Sequence, residues 1–149
     1  MRTMHATLAA VADRLGMPRI LPDPAGFAEL VVAEVLPIYL RVADEYELEL
    51  SAHLVEFDGR LTPDLLMELL RWNGRFNGLR FAVEPDRAGV ILGRRLDIRI
   101  LSDARICDAV ESFLCATADW RKTGANELLE RVKRYGQSSA EAINPGFRL

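Results

Sequence analysis

The order of the local sequence patterns is the feature that most constrains how this chain can fold. A short amphipathic helical pattern opens the chain, strand patterns then fill residues 28–57, and a helix signal begins at Thr62. A strand hairpin is indicated from Leu79 to Leu101, and a further helical pattern ends near Trp120. The order is helix, three strands, helix, two to three strands and helix. It predicts an α+β fold in which helices pack on a twisted antiparallel sheet.

Length and charge limit the classes of protein that this chain can belong to. Its 149 residues, of which 50% are hydrophobic, are typical of one domain with a single core. We expect that domain to span residues 1–135, and residues 136–149 to form a flexible C-terminal tail. The net charge of -3 disfavours nucleic acid as a partner. The apolar runs are shorter than the roughly 20 residues of a membrane span, so we expect a cytoplasmic protein without membrane insertion.

The helix that begins at Thr62 has the clearest local signal. Thr62 can cap free backbone amides, Pro63 suits the first helical position, and Asp64 favours the positive helix end. The apolar residues of this helix spread over an arc of roughly 220°, which is more than one face of a sheet can cover. The remainder of the arc therefore packs either on another helix of the same chain or on a second copy. The predicted polar side is narrow and consists of Asp64, Glu68, Arg71 and Arg75.

The strand patterns differ in clarity along the chain. Residues 29–35 have strand-like composition, and the clearest alternation runs from Glu45 to Leu50, with carboxylates on one face and apolar groups on the other. Beyond Ser51 both faces become mixed, which predicts a bulge or a twist. In the later hairpin, residues 93–95 predict an interruption before a further strand that starts at Leu96.

Histidines and cysteines do not form a recognisable catalytic or metal-binding pattern. Cys107 and Cys115 are eight residues apart in one predicted helix, which places them about 12 Å apart and beyond disulfide reach. We expect both to be thiols of the core. His5 and His53 have no spacing that would assemble a metal site with them. We therefore expect no catalytic residues, no metal and no cofactor. We interpret the carboxylates of residues 45–50 as the solvent-exposed face of a strand.

Several segments in the middle of the chain carry a resemblance to a known family. In order they are Phe57-Asp58-Gly59, the leucine-rich run from Leu65 to Trp72, Gly78-Leu79-Arg80-Phe81, Gly89-Val90-Ile91-Leu92, Leu96-Asp97-Ile98, Val110-Glu111-Ser112-Phe113 and Ala118-Asp119-Trp120. With the element order around them, these segments resemble the class I chaperones of bacterial type III secretion, the Tir chaperone or CesT-like family. The resemblance extends over residues 4–122 and rests on pattern rather than on one signature motif.

The resemblance implies a homodimeric chaperone that holds the amino-terminal binding segment of a secreted effector in an extended form. It would deliver this client to the ATPase of the export apparatus without catalysis of its own. An extended client can add a strand to a sheet edge and place alternate side chains in grooves. The residues predicted for effector binding are Leu8, Leu15, Met17, Ile20, Leu21, Val32 and Ile38. The residues predicted for the dimer interface are Leu66, Met67, Leu70, Trp72 and Phe76, of which Trp72 and Phe76 could equally belong to the core.

Two other classes of protein stay open at the level of sequence. YbjN-like domains have a similar order of elements and would make this chain a regulatory or protein-interaction domain unrelated to secretion. An enzyme of another type would need a deep polar pocket around His53 or several clustered carboxylates.

Overall fold

Five antiparallel strands and four α-helices are formed by the described part of the chain, which is residues 2–32, 37–58, 61–76 and 78–143 of this computed structural model. The elements are α1 (Met4–Leu15), β1 (Phe27–Leu30), β2 (Ile38–Val42), β3 (Glu47–Glu56), α2 (Pro63–Arg75), β4 (Arg80–Glu84), β5 (Gly89–Asp97), α3 (Asp103–Asp119) and α4 (Ala125–Ile143). The strand order is β1-β2-β3-β5-β4. These observations confirm the predicted α+β class and the antiparallel sheet.

One face of the sheet is buried and the other is open to solvent. In β3, Leu48 and Leu50 are buried, whereas Glu47 and Glu49 between them are only half-buried. On the open face, the Arg41 guanidinium lies 3.2 Å from the Glu49 carboxylate of the neighbouring strand. Period-two alternation therefore fixes which face receives the helices, as the sequence predicted.

Helix α3 is the central helix of the buried face. Its residues Ile106, Val110 and Phe113 have no exposed surface and lie in the same hydrophobic core as the inward residues of β3 and β5. Helix α1 packs beside it, and the Thr7 hydroxyl lies 3.2 Å from the Asp103 carboxylate. The amino-terminal helix is thus anchored to an element about a hundred residues later in the chain.

Three predicted helix boundaries are confirmed by hydrogen bonds or backbone geometry. The Thr62 hydroxyl accepts from the Leu65 amide at 3.3 Å, and the Ser102 hydroxyl accepts from the Arg105 amide at 3.2 Å. At the end of α1, Gly16 has a φ of 63°, the left-handed conformation that closes a helix. Local sequence signals therefore position the helices correctly.

The predicted bulge in β3 is confirmed, because its register with β5 shifts between His53 and Val55. The His53 carbonyl at this shift accepts hydrogen bonds from the Arg121 guanidinium at 2.6 and 3.1 Å. The interruption predicted at residues 93–95 is wrong, since β5 continues to Asp97. Gly93 is paired on both sides, with β3 and with β4, and these two ladders hold the strand through the glycine.

Two strand boundaries also differ from prediction. Strand β1 begins at Phe27 and ends at Leu30, and residues 33–35 of the predicted 29–35 strand lie outside the described residues. Strand β3 begins at Glu47 rather than Glu45. The reason is a turn in which the Asp44 carboxylate accepts from the backbone amides of Tyr46 and Glu47, at 2.7 and 2.8 Å.

The C-terminal part of the chain is more helical than predicted. A π-helical turn (Trp120–Gly124) joins α3 to α4, and α4 continues to Ile143. Residues 136–143, predicted as part of a flexible tail, are therefore helical, and residues 144–149 lie outside the described residues. No helix of the described ranges is long and apolar enough to cross a membrane.

The two cysteines lie in α3, as predicted, and both are free thiols. Cys107 is buried, and this burial raises the pKa of its thiol. Cys115 is exposed, so the prediction that it is a core thiol is wrong. Eight residues on an α-helix correspond to a rotation of about 80° beyond two full turns, which is enough to carry the second thiol off the buried stripe.

Candidate functional site

The residues predicted for effector binding occupy three different environments. Leu8, Ile20 and Ile38 are buried in the core of the chain itself. Their apolar side chains therefore fill the interior beneath the surface, and they are not exposed contacts. Leu15, Met17 and Val32 are half-buried against that core, and Leu21 is 70% exposed in the linker between α1 and β1.

Strand β1 forms one edge of the sheet. The Val42 amide donates to the Gly26 carbonyl at 2.8 Å, which fixes the alternation of the β1–β2 ladder. In such a ladder, alternate residues turn their N–H and C=O groups away from the partner strand. Phe27 and Glu29 are these residues in β1. The Phe27 groups are bound by Asp23, whose amide donates to the Phe27 carbonyl and whose carboxylate accepts from the Phe27 amide.

Glu29 is therefore the first position at which the β1 backbone faces outward beyond the Asp23 turn. Apolar side chains stand on either side of it, since Phe27 is 47% exposed and Val31 is 57% exposed. The Arg41 guanidinium lies 5.6 Å from the centroid of the Phe27 ring. This edge offers a main-chain donor and acceptor flanked by apolar surface.

The opposite edge of the sheet, formed by β4, is covered at Phe81. The carboxamide of Asn73 in α2 donates to the Phe81 carbonyl at 3.1 Å and accepts from the Phe81 amide at 2.5 Å. Helix α2 packs along this strand. One side chain thus satisfies both outward groups of Phe81, and sequence reasoning missed Asn73 because nothing in its local pattern indicates a partner eight residues later.

The wide apolar arc of α2 is divided between the interior and the surface. Leu65, Leu69 and Trp72 are buried, and α4 packs against α2 within the same chain. The side chains of Met67 and Leu70 are 51% and 63% exposed, and Leu66 is half-buried. A helix of the same chain therefore accounts for one part of the arc only.

Two residues predicted for the dimer interface belong to an aromatic cluster. The Trp72 ring lies 6.0 Å from the Phe76 ring and 5.5 Å from the Phe81 ring, measured between centroids. Trp72 is 2% exposed and is a core residue, the alternative that the sequence left open. Phe76 remains 39% exposed at the end of α2.

Glu68 was predicted on the polar side of α2, and this prediction is wrong. Its side chain is buried, and one carboxylate oxygen accepts from the Trp72 indole N–H at 2.9 Å. The other oxygen lies 3.1 Å from the Arg71 guanidinium. A buried indole N–H requires an acceptor, and residues four apart on a helix share a face, so this i, i+4 spacing was the available signal.

Each of the two histidines lies near one charged side chain in the described residues. The His53 imidazole is half exposed on the open sheet face, with Nδ1 3.8 Å from the Glu84 carboxylate and its ring edge-on to Tyr39. His5 lies in α1, with Nε2 3.0 Å from the Arg19 guanidinium. Within the ranges that the structure describes, no three His, Cys, Asp or Glu side chains form a group able to hold a metal ion.

The sequence profile of the Tir chaperone protein (CesT) family matches residues 7–121, which is well over half of the chain. The chain belongs to this family. The match favours the chaperone interpretation over the YbjN-like alternative. No curated protein matches the chain in a sequence comparison. Helix α4, which begins at Ala125, lies beyond the part that defines this Tir chaperone family member.

Solved structures with the same fold include a type III secretion chaperone and a chain of a chaperone–effector complex. The Yersinia pestis chaperone SycH, in complex with a stable fragment of YscM2, is 20% identical with a TM-score of 0.61, covering 77% of this chain and 97% of that one. A chain of the ExsC–ExsE complex is 23% identical with a TM-score of 0.64, covering 79% and 90%. A chain of the HopA1–SchA chaperone–effector complex is 15% identical with a TM-score of 0.61, covering 78% of this chain and 91% of that one. At these identities the likeness establishes the fold.

Proposed function

We propose that this member of the Tir chaperone family binds the amino-terminal segment of one or more type III effectors. It keeps the segment extended and competent for secretion and delivers it to the ATPase of the export apparatus, in the cytoplasm and without catalysis. The observation that carries the proposal is the open β1 edge, where Glu29 presents outward backbone groups between the exposed side chains of Phe27 and Val31.

An effector segment binds here by adding a strand to β1. Its main-chain groups pair with the outward N–H and C=O of Glu29, and its alternate side chains pack on apolar surface. Each backbone hydrogen bond contributes about 0.5–1.5 kcal/mol, and the bond forms with any sequence. Selectivity comes from the side chains, for which exposed Leu21 and half-buried Leu15, Met17 and Val32 provide the apolar contacts.

The other sheet edge is a poor competitor for the same segment. Asn73 already occupies the donor and acceptor of Phe81 in β4. A client strand would have to displace both of these hydrogen bonds and the flank of α2 before it could pair. Strand addition at Phe81 is therefore disfavoured, and the proposed site is the β1 edge.

A second copy of the chain packs on the exposed strip of α2. In a twofold dimer the same patch on each copy meets its own equivalent, so Leu66, Met67 and Leu70 face their symmetry mates, with Phe76 at the margin. Stable interfaces bury about 800 Å² on each partner, so this strip forms the centre of a larger contact. Two client-binding edges per dimer follow from the symmetry.

Replacement of Glu29 tests the binding edge. Proline at position 29 removes the outward N–H without removing a bond to β2, so Glu29→Pro is expected to reduce client recovery at least about tenfold. Glu29→Ala keeps the backbone donor and is the matched control. The tagged proteins are expressed in the native bacterium, the recovered partner is identified by mass spectrometry, and complexes are sized by light scattering.

The expected complex contains two copies of this chain and one secreted protein bound through its amino-terminal region. Circular dichroism checks that both variants keep the wild-type fold. Equal recovery of the client by the two folded variants would show that the β1 edge does not bind it.

A further inference from the structure

A cavity of about 270 Å³ lies between α2, β4 and the π-helical turn that joins α3 to α4. It is at the end of the sheet opposite to β1. Its walls include the buried rings of Trp72, Phe81 and Trp120 and the partly exposed ring of Phe76. The Trp72 and Trp120 centroids are 6.1 Å apart, so the rings form a continuous aromatic wall.

The charged residues that line the cavity are both acidic. They are Asp119, in the last turn of α3, and Glu127, in the first turn of α4. Glu127 lies 3.3 Å from Arg131 one turn further along α4. The Arg75 guanidinium stands over the Phe76 ring at 5.7 Å but does not line the cavity.

The indole N–H of Trp120 has no hydrogen-bond acceptor among the described residues. Its nitrogen is buried, whereas the Trp72 indole is bonded to buried Glu68. The ring lies directly on Gly124, since a Cβ at that position would come within 2.3 Å of Trp120 Cδ2. The π-helical turn brings these two residues together, and such turns are frequent at functional sites.

We propose that this cavity binds an arginine side chain of a bound polypeptide. The alkyl stem packs on the aromatic wall, and the guanidinium lies between the ring faces and the carboxylates of Asp119 and Glu127. The volume is below the roughly 300–1,000 Å³ of pockets for whole small molecules, and it suits one long side chain.

The inference rests on the proposed function only for the source of the arginine, which is the client segment. Two tryptophans are present in the chain, so a ¹⁵N-labelled sample has two indole N–H signals. Titration with the peptide acetyl-Ala-Arg-Ala-amide is expected to shift the Trp120 signal saturably in the low millimolar range, and the Trp72 signal less. The double variant Asp119→Asn, Glu127→Gln is expected to weaken binding by about fivefold or more, as two partly exposed carboxylates are lost.

Two matched controls test whether binding depends on the charge of the peptide and on the position of the carboxylates. In acetyl-Ala-citrulline-Ala-amide the cation is replaced by a neutral group of the same shape, and it is expected to bind at least about fivefold more weakly. Glu130→Gln removes a carboxylate from the exposed side of α4 outside the cavity and is expected to leave the titration unchanged. Absence of a saturable shift, equal binding of the citrulline peptide, or an equal loss in the Glu130 variant would each overturn the inference. Recovery of a client by a protein whose cavity fails this test would leave the proposed function standing.

Discussion

The two edge strands of the sheet differ in what contacts their outward-facing backbone groups. At β4, helix α2 lies along the strand and Asn73 takes up both outward groups of Phe81. At β1, the Asp23 turn binds the outward groups of Phe27, and among the described residues no strand pairs with the outward side of Glu29, which lies between the exposed side chains of Phe27 and Val31. Both edges belong to one continuous ladder of hydrogen bonds, yet a helix side chain occupies the outward groups of Phe81 in β4, whereas β1 is the strand proposed to pair with a client.

Under the proposed function, the difference offers a client one edge to pair with and limits general aggregation. An unprotected edge is a hazard, and proteins usually cover or charge it. Here one edge is covered at Phe81 by a helix and a carboxamide, and the other presents the outward groups of a glutamate, Glu29. The following variants test how firmly the closed edge is held and what the α2 side contributes.

Glu68→Ala is expected to have the largest effect on the closed side. The Trp72 N–H would stay buried without an acceptor and the carboxylate would leave a void, so we expect a loss of about 3 kcal/mol in the free energy of unfolding. Urea unfolding measures it. Glu68→Gln keeps an acceptor for the indole and is expected to lose about 1 kcal/mol. Equal losses in the two variants would contradict the role assigned to the acceptor.

Asn73→Ala opens the β4 edge directly. Two hydrogen bonds to the part-buried Phe81 backbone disappear, and we expect a loss of about 2 kcal/mol. Faster hydrogen exchange of the Phe81 amide locates the change. Asn73→Asp keeps the acceptor and should protect this amide better than Asn73→Ala does. An unchanged exchange rate in the alanine variant would show that α2 covers the edge without the carboxamide.

Leu70→Asp tests the other face of α2. The side chain is 63% exposed, so the fold should survive, while charge at a dimer interface should raise the dissociation constant at least about tenfold, or about 1.4 kcal/mol. Light scattering across a dilution series measures it. Ile100→Asp changes a residue that is 79% exposed elsewhere and serves as the control. A folded Leu70 variant that dimerises like the wild type would remove this strip from the interface.

Gly74→Ala should have the smallest effect and the opposite sign. A Cβ at this helical position meets nothing within 4 Å, so we expect a gain of about 0.5–1 kcal/mol from helix propensity alone. Gly16→Ala also meets open space, but its φ of 63° makes the substitution cost about 1 kcal/mol. Thermal unfolding compares the two. A stabilised Gly16 variant would contradict the left-handed helix end.

Features that depend on neighbours in sequence were predictable. The caps at Thr62 and Ser102, the stop at Gly16 and the bulge after Ser51 all follow from a few adjacent residues. Features that depend on distant partners were not. The local pattern around Gly93 predicts a break, but the ladders on both sides hold it in a strand. The local pattern around Glu68 predicts a solvated side chain, but the side chain is buried and accepts a hydrogen bond from Trp72.

The candidate binding surface was predictable as a region and less so residue by residue. A stripe of apolar side chains looks the same whether its own sheet or a client covers it. Leu8, Ile20 and Ile38 turned out to fill the interior, and Leu21 stands exposed. Phe27 and Val31, which flank the open edge, were missed because exposure at an edge depends on the strand order of the whole sheet.

The anchoring of α1 on α3 has a consequence for the order of events during synthesis. The contacts from Thr7 and Arg14 reach Asp103 and Asp108, so the first helix cannot form them until α3 has left the ribosome. The β1–β2–β3 meander can pair long before that point. Contacts between such distant residues slow folding. The first helix thus gains its contacts with α3 only late in synthesis, after the three strands of the meander have become available to pair.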